Sequence, residues 1–468
     1  MSRSDESQLD LSVLTGEAAG PVLPRGADGF AEEISGYNLV GPVNPDVVVG
    51  ATSHHDVVAA VRFAASRNLP VYAQATGHGN YATIDRGVLV NTARLNTVEI
   101  DPGSRLATLG AGVTWGSVYE AAAPHGLTPI TGSSPGVGAV GLVLGGGIGP
   151  LSRTYGFAAD YARRFEVVLH DGSSVTASES EEPDLFWALR GGKGGLGIIT
   201  SMTVALVPQT SIYGGGLFFA KEDATEVFHA WLDWTKTVPD TVTSSVCLVR
   251  FPPLDALPEP LRGKTILHVR FVYTGPEDSE DQRDSRGAEF AAPLRAVAEP
   301  VMDTVGLMST ALTGSVHQDP PDPMPVWEQG ALLNDIDHEF VDRLCTHVGP
   351  EVDVPLNAVE VRHIGGAMKE DRGGAVGGRS ADYTVVLIGR PEASLFGETL
   401  PELGAAVQRD IQQWYCPETN YNFAGCPKTA EDFARNWPPA VFERLVQVRD
   451  HYDPVRRFPI GTHQPTSK

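Results

Sequence analysis

Cysteine is scarce in this chain: Cys247, Cys345, Cys416 and Cys426 are the only four in 468 residues, and none forms a CxxC pair. That spacing suggests neither a disulfide framework nor a zinc site. The thiols read as buried and free, although Cys416 and Cys426 could be neighbours in space. Positive charge is also short. Lys and Arg number 35 against 58 Asp and Glu, a net charge of −23, which repels nucleic acid and anionic membrane and favours solubility. Long apolar runs are missing too: nothing approaches the ~18 uncharged apolar residues a membrane helix requires. Met1-Ser2-Arg3-Ser4-Asp5-Glu6 has no apolar h-region. The expectation is a soluble, cytoplasmic protein with no metal site.

Glycine, by contrast, is plentiful, and it is clustered. Ala75-Thr76-Gly77-His78-Gly79-Asn80-Tyr81 follows the strand-like run Leu69-Pro70-Val71-Tyr72-Ala73 and precedes another, Val88-Leu89-Val90. Lacking a Cβ, glycine lets backbone N–H groups approach a phosphate closely, and a histidine fixed in such a bend sits beside whatever the phosphates carry. A second cluster runs Gly132-Ser133-Ser134-Pro135-Gly136-Val137-Gly138, then Gly141, then Gly145-Gly146-Gly147-Ile148-Gly149. Eight glycines between 132 and 149 are too many for a core strand or a stable helix, and fit a backbone lying flat against a large ligand.

The surrounding pattern is mixed. Residues 1 to about 40 are polar with little periodicity and read as an arm or opening turn. Asp46-Val47-Val48-Val49 reads as a strand. Ser53 with Asp56 three residues on resembles a capping box, opening a helix through Val57, Val58, Val61 and Phe63, with His54 and His55 exposed in its first turn. Residues 98–109 show two strands around Pro102-Gly103, and a helix from Thr114 stops near Gly126. At 468 residues, two or three lobes are expected. A Walker loop is excluded, since no GxxxxGK followed by Ser or Thr occurs and Lys193 precedes glycine. The run at 145–149 also lacks the preceding strand, and the acidic residue about 20 positions on, that a dinucleotide-binding Rossmann turn demands.

In order, the GHG loop, the hairpin, TWGSVYEAAAPHGL, GSSPGVG, GGGIG, LSRTYGFAAD and DLFWALRGGKGGLGIIT resemble the FAD-linked oxidases of the berberine-bridge-enzyme type, with the vanillyl-alcohol-oxidase (PCMH-type) fold. The likeness spans about residues 42–208 and resumes at Asn420-Tyr421-Asn422-Phe423 and Glu443 to Pro454. It implies an α+β architecture: an arm over 1–40, a flavin domain of two subdomains over 41–210, an antiparallel-sheet substrate domain with helices on one face over 211–415, and a segment over 416–468 returning to the flavin domain. The resemblance identifies His78 with the histidine that bonds to the flavin 8α carbon, and Thr76, Gly77, Gly79, Asn80 and Tyr81 with the loop holding the diphosphate. Ser133, Ser134, Gly136, Val137, Gly138, Gly141, Gly146, Gly149, Asn420 and Asn422 would contact the flavin, and Gly197-Ile198-Ile199 the adenine side. Two departures stand out. Glycines flank His78, where the family loop has two before the histidine. Ser134 occupies the position of a cysteine that many members bond to the ring, and a serine hydroxyl is essentially never ionised near neutral pH. One covalent link, through His78, follows.

Within the substrate domain, helices are predicted over Glu222–Thr237, Asp281–Ala298, Phe340–His347 and Ser394–Trp414, and strands over Ser244–Phe251, Ile266–Tyr273, Ala358–Ile364 and Tyr383–Ile388. Period-two geometry puts Glu360 and Arg362 on one face of their strand, and His268 and Arg270 on one face of theirs, opposite apolar neighbours. Because the resemblance implies that this sheet roofs the flavin, Glu360 is the first candidate for general base, with Arg362 or His268 tuning its charge. Tyr155, by resemblance near the substrate, and Tyr421 could also carry a proton. Asp319-Pro320-Pro321-Asp322-Pro323-Met324-Pro325 is a rigid loop, either near the substrate mouth or a plain surface connection. The implied chemistry is oxidation of a hydroxylated or carbonyl compound in bacterial secondary metabolism, by hydride transfer to FAD that dioxygen reoxidises, with a homodimer one possible assembly. The alternatives are an oxygenase tailoring a poly-β-ketone and a non-catalytic flavin-binding protein.

Overall fold

The computed structural model describes residues 9–79, 83–425 and 429–459, so Asn80, Tyr81 and Cys426 lie outside the described residues. Val47–Gly50, Val71–Gln74 and Val88–Asn91 form a parallel core in the order Val47–Gly50, Val88–Asn91, Val71–Gln74. The first and last-formed of these, Val47–Gly50 and Val88–Asn91, are buried along their whole length, as suits parallel strands covered on both faces. Helix His54–Ser66 packs on them through Val57, Ala60, Val61 and Ala64. Ser53 caps it by accepting the Asp56 N–H at 3.2 Å, while the buried Asp56 carboxylate accepts from Thr52 and from the Ala19 N–H. That last bond ties down the segment expected to be an arm. Instead of lying free, residues 22–24 add an antiparallel edge strand to this sheet, pairing Val22 with Val49.

A second sheet is antiparallel throughout, in the order Val98–Asp101, Leu106–Gly110, Ile198–Ala205, Ala162–Val168, Ser174–Ser178. The Pro-Gly hairpin is its edge. Within the glycine-rich stretch a short helix, Ala139–Leu144, does form, because Ala139, Val140 and Val143 bury against the core.

The third sheet has eight strands, all antiparallel, with Ser211–Ala220, Thr265–Tyr273, Val242–Arg250, Leu356–His363, Tyr383–Gly389 and Glu328–Leu333 as its main path. Ser211–Ala220 was not legible as a strand because Gly214-Gly215-Gly216 interrupts it. Gly216 is needed there: a Cβ would collide with the His268 ring. Helices Ala224–Thr235, Glu280–Arg295, His338–Val348 and Thr399–Ile411 contribute to the apolar cluster containing Leu267, Val269, Phe271, Val359 and Val361, and so cover one face. The opposite face of the same strands carries the charged residues.

The C-terminal helix Pro439–Tyr452 returns to helix Pro183–Leu189, where Arg444 meets Asp184 at 2.7 Å and the Tyr452 hydroxyl donates to Glu182 at 2.5 Å. Arg457 then donates to the Ala64 and Leu69 carbonyls beside the first sheet. No helix among the described residues is long and apolar enough to cross a membrane. Cys247 and Cys416 are buried free thiols and Cys345 is a partly buried one.

Candidate active site

A cavity of about 1680 Å³ is lined by residues of all three sheets. Ordinary ligand pockets hold roughly 300–1,000 Å³, so there is room for a dinucleotide with a substrate beside it. Its floor begins where strand Val71–Gln74 ends. Gly77 adopts φ +71, and a Cβ there would come within 2.8 Å of the Gly36 Cα, so the turn requires glycine. The turn presents His78, whose ring stacks on Tyr37 (centroids 3.8 Å apart, planes at 8°). His78 Nδ1 lies 3.0 Å from Thr76 Oγ1, which also accepts the Gly138 N–H at 3.3 Å, joining the two glycine loops. Burial lowers the His78 pKa from 6.5 to about 4, so the imidazole is neutral near pH 7.

From the second loop, Ser133, Ser134, Val137, Gly138 and Gly141 reach the cavity, as do Gly197, Ile198 and Ile199 from the third. Around Gly141 no atom lies within 4 Å of an added Cβ, which marks open floor. Three other expected glycines serve the chain itself. Gly136 is exposed beside the His78 ring without lining the cavity, Gly146 (φ +102) turns the backbone against Val376 and Asn420, and Gly149 packs on the Thr131 carbonyl.

Lys193 is a floor residue the sequence reading passed over. It sits at φ +67 in a run otherwise rich in glycine, and its Nζ is 4.6 Å above the Tyr421 ring and 3.6 Å from where a Gly79 Cβ would stand. Burial lowers it from 10.5 to about 8, and no described carboxylate pairs with it. Tyr37 was missed as well. Its hydroxyl donates to the Pro320 carbonyl at 2.9 Å, so the Pro-rich loop braces the histidine, and that loop lines the cavity. No local pattern could have revealed that contact.

The roof is the charged face of the third sheet. Register sets Ser245 opposite Arg270 and Arg362, and Cys247 opposite His268 and Glu360. The buried Glu360 carboxylate receives Arg270 Nη1 on one oxygen and Arg362 Nε on the other at 2.8 Å, with Ser245 Oγ at 3.4 Å. Burial by itself would raise the Glu360 carboxyl, but Arg362 and Arg270 more than offset it and hold it below the ordinary carboxylate range. Arg270 also donates to the His317 carbonyl at 3.0 Å; Arg362 lies over the Phe423 ring at 4.9 Å and reaches Ser133 Oγ at 3.4 Å. That last contact links roof to floor. His268 Nε2 and His317 Nδ1 are buried without a hydrogen-bond partner, and burial pushes both rings well below the usual histidine range, so both are neutral. The position of His317, beyond the end of a 3-10 turn, gave no signal in the sequence.

Tyr421 and Asn422 line the cavity; Asn420 is buried and donates to the Gly377 carbonyl. Tyr155 lies elsewhere. It packs beside Ile130, Leu151 and Val207 outside the cavity lining, donates to Gln209 Oε1 at 2.7 Å, and has its phenol pushed up to about 12 by burial.

The FAD binding domain family matches residues 45–178. An FAD-linked oxidoreductase from Arthroderma benhamiae is 30% identical over 473 residues, covering 93% of this chain and 90% of that one. With the FAD-linked oxidoreductase YgaK of Bacillus subtilis the identity is 31% over 48% of this chain, and the match spans about half (52%) of the relative. Two solved structures share the fold: 6-hydroxy-D-nicotine oxidase from Arthrobacter nicotinovorans (TM-score 0.81, 23% identity, 97% of this chain and 99% of that one) and glucooligosaccharide oxidase from Acremonium strictum (TM-score 0.79, 18% identity, 97% and 99%), which carries a 6-S-cysteinyl, 8α-N1-histidyl FAD. A nearly full-length match at 30% identity settles the family: the chain belongs to the FAD-linked oxidoreductases, on a fold shared with 6-hydroxy-D-nicotine oxidase and glucooligosaccharide oxidase.

Proposed function

We propose that this protein is an FAD-dependent oxidase acting on a hydroxylated or carbonyl-bearing small molecule held between the glycine floor and the charged roof, with the flavin attached by one bond to His78. The residues present fit the cofactor. A neutral imidazole, open floor at Gly141 and an ammonium at Lys193 with no described carboxylate partner suit a flat ring with an anionic tail. When bound, FAD supplies the two-electron acceptor, and dioxygen regenerates it.

The chain's own residues do the rest. Glu360 accepts the substrate hydroxyl proton as the neighbouring C–H bond breaks, and Arg362 and Arg270 steady the negative charge that develops on the substrate oxygen. The two arginines make Glu360 a weak base, so it hands the proton on rather than keeping it. His268 and His317 line the same cavity as neutral rings beside Glu360. Tyr421, under the Lys193 ammonium, is a second proton carrier. Secondary metabolism is the setting this reading suits.

One observation carries the proposal: a buried carboxylate clamped by two arginines lines the same cavity as a neutral histidine in a glycine turn. Acid precipitation tests the attachment, since yellow colour should stay with the pellet. A panel of hydroxylated and β-keto compounds, with peroxide followed, tests the oxidase. Flavin reduction without peroxide would make it a dehydrogenase, and no reduction by any compound would sink the reading.

A further inference from the structure

We infer that the flavin bond forms at His78 Nε2, not Nδ1, and that Thr76 is the positioning residue that decides between them. This rests on the covalent reading above and goes beyond it. The glucooligosaccharide oxidase of like fold has its link at the imidazole N1, which is Nδ1, with a cysteinyl link besides. Here the cysteine position holds Ser134, and Nδ1 is already engaged.

A neutral imidazole has one N–H and one lone pair. Thr76 Oγ1, 3.0 Å from Nδ1, has two lone pairs, and can take the Gly138 N–H with one and the Nδ1–H with the other. That arrangement leaves the reactive lone pair on Nε2, for which no described residue provides a hydrogen bond. Stacking on Tyr37 fixes the ring plane, and turning the ring over would surrender the Thr76 bond. Gly138 anchors Thr76 in turn, so the second glycine loop sets the histidine's orientation through one hydroxyl.

The step balances. The Nε2 lone pair forms a bond to the 8α-methyl carbon, and one methyl C–H bond breaks. Its proton leaves, its electron pair enters the flavin ring, and Nδ1 then sheds its own proton. Dioxygen takes the two electrons with two protons as hydrogen peroxide. The Thr76 hydroxyl, an acceptor before the step, rotates to donate to the lone pair left on Nδ1. A threonine or serine can play both parts, whereas valine can play neither.

The test begins with the holoprotein. Its flavin peptide is isolated by proteolysis and hydrolysed, and the histidyl-flavin is compared with authentic N1 and N3 isomers by chromatography and by the pH dependence of fluorescence. The N3 (Nε2) isomer is expected; the N1 isomer overturns the assignment. Flavin freed by acid overturns the covalent reading itself, and the assignment with it. Flavin-free protein is then incubated with FAD, and covalent attachment is followed as fluorescence of the denatured band. Thr76→Val should bind FAD yet attach it at least tenfold more slowly or as mixed isomers, and Thr76→Ser should restore rate and isomer. Attachment by Thr76→Val at the unsubstituted rate, as the same isomer, would remove Thr76 from the role and overturn the proposal.

Discussion

Along the floor, at residues 76–79, 133–141 and 193–199, the cavity is walled by backbone and glycine, while across from it Arg270, Glu360, Arg362 and His268 project from neighbouring strands of a sheet whose far side is packed with helices. The floor gains its shape by leaving side chains out, so a large flat ligand can lie against it. The roof gains its chemistry by fixing long charged side chains on rigid strands, where burial makes each charge depend on its partner. A floor defect should therefore act through shape and cofactor attachment, and a roof defect through uncompensated charge.

The largest expected effect tests the roof. Glu360→Gln should lower kcat by about 10²–10⁴-fold while flavin content stays unchanged, measured as peroxide release against bound-flavin absorbance. If kcat holds, Tyr421 becomes the leading proton carrier. Next, Arg270→Ala should cost about 3 kcal/mol in urea unfolding, because it takes one of two cations from a buried carboxylate. Arg362→Ala should cost less, since that side chain is partly open to the cavity. On the floor, Gly77→Ala should cost about 1–3 kcal/mol and lower flavin content, for the added methyl meets Gly36 in a left-handed turn.

A smaller effect concerns pH. The folded-state pKa of His78, about 4, lies below its unfolded value near 6.5. Between them the unfolded chain binds a proton that the folded chain refuses, so this histidine makes stability rise with pH across that window and fall as pH drops through it. Flavin-free His78→Gln should show a shallower slope of melting temperature between pH 4 and 6.5; an unchanged slope would contradict the buried neutral ring. The smallest effect on activity is at Tyr155. Phenylalanine there should leave kcat unchanged and cost about 1–3 kcal/mol of stability, because the buried Gln209 Oε1 loses its donor. A large loss of activity would return Tyr155 to the site.

Much of the floor was legible because glycine is a local signal. A residue that tolerates φ +71 at position 77 and leaves open floor at 141 announces a backbone constraint in the sequence itself. At 146 and 149 the same signal also marks places where missing side chains make room for the protein's own atoms. Strand periodicity placed Glu360 with Arg362 and His268 with Arg270, since alternation along one strand is also local. It could not say that Arg270 and Arg362 would meet on one carboxylate, because that depends on which strands pair and in what register.

Composition, glycine spacing and alternation thus determined the kind of molecule: an acidic protein with a side-chain-free cradle, a histidine at its turn and one charged sheet face. Tertiary structure alone decided that Tyr37 stacks on that histidine, that Lys193 stands over the Tyr421 ring, and that Tyr155 bonds to Gln209 outside the cavity lining. Backbone conformation and side-chain alternation are set within a few residues. The partner of a buried charge or ring is set by segments up to hundreds of residues apart, and no local pattern encodes it.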